Sequence, residues 1–293
     1  MRGRASSRTA LTASSNFAKP IAAGDRERAQ QLRALLERFI LRRTKAQVLD
    51  ELPPRTELTL RVMPGAKECA YYEALRQQAK ARVEQGERSS KRLRILAELT
   101  RLRQAAVDPR LIDPELAPPG AKLSVLLEQV LALREEGHRA LIFTQFLDSM
   151  AMICARLEAA GVEYFTLDGS TSAAERARRV EAFQGGEREV FVLSLRAGGV
   201  GMNLTGADYV LHVDPWWNPA VEDQATDRAH RMGQTRAVTV YRLITAGTIE
   251  EKILALHEQK RELADDILAG MEGAGALQLD ELMALMESDE APS

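Results

Sequence analysis

The sequence predicts an α/β protein in which a parallel sheet is covered by helices on both faces and is preceded by a mostly helical region. Three observations predict this fold. Strand and helix patterns alternate after residue 119. The strands are continuous apolar runs, as in a sheet buried on both faces. The 293 residues, 45% of them hydrophobic, suffice for one large domain with a smaller region beside it.

The first 118 residues predict a helical region behind a polar tail. Residues 1–25 are rich in Ser, Ala and Arg, and we expect them to lack fixed structure. In residues 26–118, apolar spacings of three and four indicate helices. The expected elements are helices at 26–49, 66–84 and 91–106 and a short strand at 57–63. The prolines between Pro109 and Pro119 indicate a linker, and we place a domain boundary near residue 118.

Residues 119–270 form the predicted sheet domain. The expected elements, in order, are helix 121–136, strand 140–144, helix 147–160, strand 164–167, helix 173–184, strand 190–194, strand 209–213, helix 219–230, strand 238–244 and a helix from 248. Ligands of parallel sheets bind at the carboxyl ends of the strands, so the loops that follow those ends should carry the chemistry. Residues 271–293 read as an acidic tail, with a short helix that packs on a partner or on the domain itself.

Composition excludes several classes of protein. The 40 basic and 42 acidic residues give a net charge of -2, so a contact with nucleic acid must come from a local patch. Cys69 and Cys154 have neither CxxC spacing nor a nearby histidine pair, which excludes a disulfide framework and predicts no metal site. The apolar runs are shorter than the roughly 20 residues that span a bilayer. We expect a cytoplasmic protein, and the excess of Arg over Lys suggests a bacterial source.

A predicted helix that starts at Asn218-Pro219 carries the strongest chemical signal. Asn218 can cap the helix and Pro219 can occupy its first position. In this helix Gln224, Arg228 and Arg231 are spaced at i, i+4 and i+7, so one face presents an amide and two guanidinium groups. Guanidinium groups bind phosphate oxygens bidentately, so this face suits an anionic ligand.

The alternative is a solvated face in which Glu222 and Asp227 pair with the arginines. Against it stands the string DRAHRMGQ that ends at Gln234, which resembles the sixth motif of superfamily 2 helicases in its Swi/Snf form. The resemblance implies that Arg228 and Arg231 reach across a cleft to nucleotide phosphates bound by a partner lobe. An arginine finger there stabilises charge on the transferred phosphoryl group, and Arg231 is the first choice for that role.

A glycine cluster follows the strand at 190–194. Glycines let backbone N–H groups approach an anion, but the phosphate-loop pattern GxxxxGK[ST] is not satisfied, and such a cluster alone is usually a tight turn. The segment from 193 to 204 is similar to the fifth motif of the same family. The resemblance implies that Ser194 and Arg196 lie near the DNA backbone or the lobe interface. It also implies four residues near the nucleotide, namely Gly199, Gly201, Asn203 and Gln224.

Two further segments resemble motifs of the family. Residues 142–146 look like the fourth motif, and residues 167–171 look like the motif after it, although Asp-Gly before hydroxyl residues is also ordinary turn chemistry. The resemblance implies neutral hydrogen bonds to the phosphates of a DNA duplex, donated by Gln145, Gly169, Ser170 and Thr171. Trp217 is similar to a family tryptophan that touches DNA, and a buried Trp217 is the alternative.

The resemblance covers residues 17 to 270. Residues 39–45 and 52–55 look like the connector between the two lobes of the family, and residues 102–109 fit the region just before the second lobe. Arg42, Arg43 and Lys45 within it are either a solvated charge run or contacts to DNA or to the other lobe. The resemblance therefore implies a RecA-like second lobe, joined to the end of a first lobe.

The sequence contains no phosphate loop with its lysine and no Asp-Glu pair at the end of a buried strand. ATP with Mg²⁺ would then be held mainly by a missing first lobe, in trans or on an intact parent chain, and the isolated chain should be inactive. Two functions follow. One is half of an ATP-dependent translocase on double-stranded DNA, associated with the nucleoid when bound. The other is a non-catalytic module that binds DNA or protein, left by truncation or gene splitting.

Overall fold

The computed structural model describes residues 52–85, 91–115, 117–195, 202–268 and 279–287. The chain divides into two compact units. One consists of Met1–Asp50 and Leu256–Gly275, and its described part is residues 256–268. The other consists of Glu51–Ala255 and Ala276–Ser293 and contains the sheet. The predicted tail at 1–25 and helix at 26–49 lie outside the described residues.

The described residues form a six-stranded sheet in the order β1-β6-β5-β2-β4-β3, and every neighbouring pair is parallel. The strands are β1 (Arg55–Val62), β2 (Ala140–Thr144), β3 (Tyr164–Leu167), β4 (Val190–Ser194), β5 (Tyr209–His212) and β6 (Val238–Thr245). Every residue of β2 and β4 is buried, as their continuous apolar sequences require. The predicted parallel sheet is confirmed.

Helices connect and cover the strands. They are α1 (Ala66–Glu84), α2 (Lys91–Val107), α3 (Lys122–Glu135), α4 (Leu147–Ala159), α5 (Ala173–Gln184), α6 (Pro219–Thr226), α7 (Ile249–Leu268) and α8 (Leu279–Ala284). Local sequence sets the starts of two of them. Ser172 caps α5 by accepting the amide of Glu175, and Asn218 caps α6 by accepting the amide of Ala220.

A separate apolar core fills each face of the sheet. One core contains Phe143 and Leu193 from central strands, together with Phe183 of α5 and Ala225 of α6. The opposite core packs helices α3 and α4 against other side chains of the same strands. Successive residues of a strand point to opposite faces, so both cores draw on β2 and β4. The sheet is therefore covered on both sides, as predicted.

The sheet starts before the predicted linker. Strand β1 pairs with β6 along its whole length, from Arg55 opposite Val238 to Val62 opposite Thr245. The boundary that we placed near residue 118 does not separate this strand from the sheet, because Glu51–Ala255 belong to one compact unit. By its pairing, β1 belongs to the sheet domain, which we predicted to start at residue 119.

The linker itself is a closed loop. The buried carboxylate of Asp108 accepts the amide of Arg110 at 3.0 Å and the amide of Gly120 at 3.2 Å, which joins the two ends of the proline-rich segment. A Cβ at Gly120 would lie 2.9 Å from the Cα of Asp108, so the chain passes too closely for a side chain. Glu68 of α1 accepts the amide of Ala121 and holds the end of the loop against the helical region.

The short helix α8 packs on the same unit. Leu282, Leu285 and Met286 are buried. The guanidinium group of Arg76 donates to the carbonyl of Met286 at 3.2 Å, and Lys252 donates to the carbonyls at the end of the helix. Of the two predicted outcomes for this segment, the structure shows packing against its own domain. None of the described helices has the length and apolarity needed to cross a membrane.

Candidate functional site

The carboxyl ends of β2 and β5 meet at one buried carboxylate. Asp214 follows β5, and its Oδ1 accepts the hydroxyl of Thr144 at 2.6 Å and the amide of Gln145 at 3.2 Å. The side-chain amide of Gln145 also donates to Oδ2 of Asp214. Burial raises the pKa of Asp214, whereas Arg103 and these hydrogen bonds lower it. Two of the loops that sequence reasoning selected are therefore fixed to each other.

Arg103 of helix α2 reaches the same loop. Its side chain is 3% exposed and donates to the carbonyl of Pro215. The guanidinium carbon lies 4.7 Å from the ring centre of Trp217, 5.8 Å from that of Trp216 and 5.6 Å from that of Phe146. Trp217 is thus half-buried and in contact with a cation. The sequence left two alternatives, a tryptophan that touches DNA and a buried one, and this position lies between them.

The hydroxyl residues after β3 form a turn around Asp168. The carboxylate of Asp168 accepts the amide and the hydroxyl of Ser170 at 2.9 and 2.6 Å, and it accepts the hydroxyl of Thr171 at 3.2 Å. The hydroxyl of Ser170 holds the pKa of Asp168 below its usual value. Gly169 and Ser170 are exposed at the tip of the turn. The geometry is that of an ordinary Asp-Gly turn, with an open backbone at its outer side.

The helix that carries the predicted arginine face is shorter than expected. We predicted a helix over 219–230, but α6 ends at Thr226. Beyond it the backbone forms hydrogen bonds between residues three apart, such as the one from the amide of Ala229 to the carbonyl of Thr226 at 3.0 Å. The prediction that Gln224, Arg228 and Arg231 share one helical face is therefore wrong. Gln224 is exposed on α6, while both arginines lie in the turn after it.

The two arginines differ in their surroundings. Arg228 is 7% exposed, its guanidinium carbon lies 5.8 Å from the ring centre of Phe143, and its carbonyl accepts the amide of Leu204 at 2.9 Å. Burial, with a smaller contribution from the charge of Arg176, lowers the pKa of Arg228 to about 10. Arg231 is exposed. Of the pair, only Arg231 has a side chain that is open to solvent.

The acidic residues of α6 have basic partners on neighbouring strands. The buried carboxylate of Glu222 accepts Nε of Arg242 at 2.9 Å and the amide of Trp216 at 2.8 Å. Asp223 accepts the guanidinium group of Arg55 at 2.8 Å. These bonds join α6 to β1 and β6. Asp227, the second acid of the alternative, lies 3.8 Å from the guanidinium group of Arg55.

The glycine cluster is described only at its borders. Arg196, Gly199 and Gly201 lie outside the described residues. Ser194 ends β4 and is 5% exposed, which leaves little of its surface for a ligand. Asn203 is exposed. The hydrogen bond from the amide of Leu204 to the carbonyl of Arg228 brings the end of this cluster beside the arginine turn.

Sequence reasoning missed the buried charges behind the site. Arg103 lies at i+4 from the buried Leu99, so it interrupts the apolar stripe of α2, and that interruption was a usable signal. Asp214 directly follows an apolar strand, which is a second such signal. The completely buried pair of Lys122 and Glu250 gives no signal in the sequence, because both residues stand at ordinary helix starts. In the part of the chain that the structure describes, no group of three or more His, Cys, Asp or Glu is arranged for a metal.

Two family models match the chain. The helicase conserved C-terminal domain matches residues 121–233, and the SNF2-related domain matches residues 8–111. The chain is 40% identical over 269 residues to the putative ATP-dependent helicase/translocase YwqA of Bacillus subtilis, covering 89% of this chain and 29% of the relative. It is 37% identical to the chromodomain-helicase-DNA-binding protein 1-like of Danio rerio, covering 89% and 28%. The chain thus spans less than a third of the length of these curated relatives.

Solved structures agree with the family models. The SWI2/SNF2 ATPase C-terminal domain of Sulfolobus solfataricus matches with a TM-score of 0.64 and 30% identity, over 80% of this chain and 99% of that domain. The SWI2/SNF2 ATPase core of the same organism in complex with dsDNA matches with a TM-score of 0.63 and 34% identity, over 88% of this chain and 56% of that core. The parallel sheet is that of a RecA-like ATPase lobe, and the chain belongs to the Swi/Snf family of superfamily 2 helicase-like ATPases.

Proposed function

We propose that this chain is the second lobe of an ATP-dependent translocase on double-stranded DNA, to which it contributes arginine fingers and contacts to the DNA backbone. The observation that carries this proposal is the pair of arginines after α6. Arg231 is exposed, Arg228 is buried beside it, and the carbonyl of Arg228 is bonded to the segment that ends the glycine cluster. Permanently charged guanidinium groups in such a turn suit phosphate oxygens.

The DNA side of the proposal depends on the loops at the carboxyl edge. Gln145 donates to Asp214, Arg103 contacts Trp217 in the loop that contains Asp214, and Ser170 and Thr171 form the turn after β3. Neutral donors and an aromatic ring can grip a duplex without reading its sequence. The net charge of -2 does not favour DNA by itself, so these local groups must supply the contact. Support also comes from the related Sulfolobus core, which was solved with dsDNA.

Hydrolysis requires more than this chain contains. Its sequence has no phosphate loop, so ATP with Mg²⁺ would be held mainly by a first lobe, either a separate protein or part of a longer parent chain. Mg²⁺ supplies charge neutralisation at the phosphates, and the arginines of this chain add positive charge from the opposite side of the cleft. The isolated chain should therefore be inactive as an ATPase.

ATP hydrolysis tests the proposal when it is measured with and without linear duplex DNA, on the chain alone and on the chain mixed with a first lobe from a relative. We expect DNA-stimulated turnover in the mixture alone, and its loss by about 10³-fold or more in Arg231→Ala. The matched control is Arg236→Ala, because Arg236 is also exposed and pairs with Asp208. Control turnover should equal that of the wild type.

A silent mixture, combined with duplex binding by the chain alone, would instead establish a non-catalytic binding module. The same result would remove the need for arginine fingers. Absence of both turnover and duplex binding would contradict both functions. Binding is measured separately by fluorescence anisotropy of a labelled duplex.

A further inference from the structure

The only two tryptophans of the sequence, Trp216 and Trp217, lie side by side in the loop after β5. We propose that Arg103 is a positioning residue that fixes this tryptophan loop in the conformation that grips duplex DNA. The inference rests on the proposed contact between Trp217 and DNA. It assigns a role to a residue of α2, in the segment before the linker, for which the resemblance implied no role.

The guanidinium group of Arg103 contacts three aromatic rings and one backbone carbonyl. One guanidinium group lies within 6 Å of three aromatic ring centres, those of Phe146, Trp216 and Trp217, and it donates to the carbonyl of Pro215 in the same loop. Cations within about 6 Å of a ring centre attract its face, more strongly when water is excluded. At 3% exposure Arg103 is nearly dry, so each of these contacts is strengthened.

Burial of a cation at position 103 costs free energy that an apolar side chain would not cost. Arg103 stands in the apolar stripe of α2, four residues after the buried Leu99, where a methionine or leucine would pack without a charge. Removal of a charged side chain from water is unfavourable unless its contacts in the protein compensate. The charge therefore needs a reason beyond packing, and its contacts with the loop carbonyl and the rings supply one.

Arg103 also links two residues that we propose to touch DNA. Its charge acts on Asp214, and that carboxylate accepts the backbone amide of Gln145 at 3.2 Å. Phe146, the next residue, contacts the same guanidinium group. The loop after β2 and the tryptophan loop thus contact the same guanidinium group. The same group of contacts therefore positions both Gln145 and Trp217, and contacts to phosphates set the register of a protein on a duplex.

Intrinsic fluorescence reports on this loop alone, because both tryptophans lie in it. The experiment compares wild-type chain, Arg103→Met, Arg103→Lys and the control Arg101→Met, an arginine on the same helix whose ion pair with Glu98 is 4.0 Å long. Emission maximum and acrylamide quenching are measured without DNA, duplex affinity is measured by anisotropy, and thermal unfolding is followed by circular dichroism. Arg103→Lys retains a cation but not the planar fork.

Arg103→Met should shift the emission maximum, raise the quenching constant and weaken duplex binding about tenfold, the loss of one stacked aromatic contact, while Arg101→Met matches the wild type. The emission maximum, quenching constant and duplex affinity of Arg103→Lys should lie between those of Arg103→Met and the wild type. If Arg103→Met does not fold, Arg103→Lys decides by the same readouts. Wild-type emission and affinity in the folded variants would overturn the inference while leaving the proposed function intact. Failure of the wild-type chain to bind duplex would overturn the contact between Trp217 and DNA and the inference with it, while turnover in the mixture decides the proposed function separately.

Discussion

The ammonium group of Lys122, at the start of helix α3, contacts the carboxylate of Glu250, at the start of helix α7, and both side chains are completely buried. Lys122 also donates to the carbonyl of Val213 at 3.1 Å, and Glu250 accepts the amide of Thr245 at 2.9 Å. The ion pair therefore ties the linker end of the domain to the ends of β5 and β6, directly beside Asp214.

Removal of one partner should leave a buried charge without compensation. We expect Lys122→Met to lower the free energy of unfolding at pH 8 by about 3–5 kcal/mol. The double variant Lys122→Met/Glu250→Leu should recover much of that loss, because neither charge then remains. Urea unfolding of the two variants measures the difference. Equal losses would show that the pair contributes packing rather than charge compensation.

Glu250 should also give the fold a pH dependence. Burial, opposed by Lys122, raises the pKa of Glu250 from 4.5 to about 7. Between these values the folded chain binds a proton that the unfolded chain releases, so stability should fall as the pH rises from about 4.5 to 7. The contribution of this group is about 3 kcal/mol. The check is urea unfolding of wild type and Glu250→Gln across that range, and parallel curves would contradict the prediction.

Arg228 should reduce the stability of the fold in which it acts. Its pKa is lowered to about 10, chiefly by burial, so at neutral pH the side chain stays charged in the folded chain at a cost in free energy that the unfolded chain does not have. We expect Arg228→Met to raise the free energy of unfolding by about 1–2 kcal/mol. The exposed Arg231, changed to Met, should leave it within about 0.5 kcal/mol. A destabilised Arg228→Met would mean that its contacts outweigh its desolvation.

Gly233 should be required by the turn that carries the arginines. Its φ of +95° lies in the region that favours glycine. We expect Gly233→Ala to cost about 1–2 kcal/mol of stability. Gly169→Ala is the matched control, because Gly169 is exposed, has no positive φ and has nothing within 4 Å of the position that an added methyl group would take. Thermal unfolding distinguishes the two, and similar losses would contradict the prediction.

Sequence reasoning predicted most of the sheet. The bounds of β2, β3 and β4 match the expected strands, because these runs are largely apolar. It misjudged the end of α6. The residues after Thr226 include good helix formers and show no stop before Gly233, so local sequence favours continuation. Tertiary bonds end the helix instead: His212 bonds to Thr226 at 3.0 Å, and His230 bonds to the carbonyl of Pro53 at 2.8 Å.

The candidate site was predictable where it depends on short motifs. Family resemblance selected Gln145, Trp217 and the arginines from letters that lie close together in sequence. It included Arg103 in the segment before the second lobe but gave it no role, because a sequence separation of 112 lies between that residue and Pro215, whose carbonyl it contacts. Contacts of that range depend on how α2 packs against the sheet, and hydrophobic periodicity does not encode this.

The parallel pairing of β1 with β6 bears on how the chain can be divided. A polypeptide that started at Ala121 would retain all the helicase-like motifs but would lack the 8 residues that cover one side of β6. The backbone amides and carbonyls on that side of β6 would then be unpaired and could pair with strands of other chains. The proline-rich segment at 109–119 is thus a loop within one folding unit, and a soluble fragment of this lobe has to include β1.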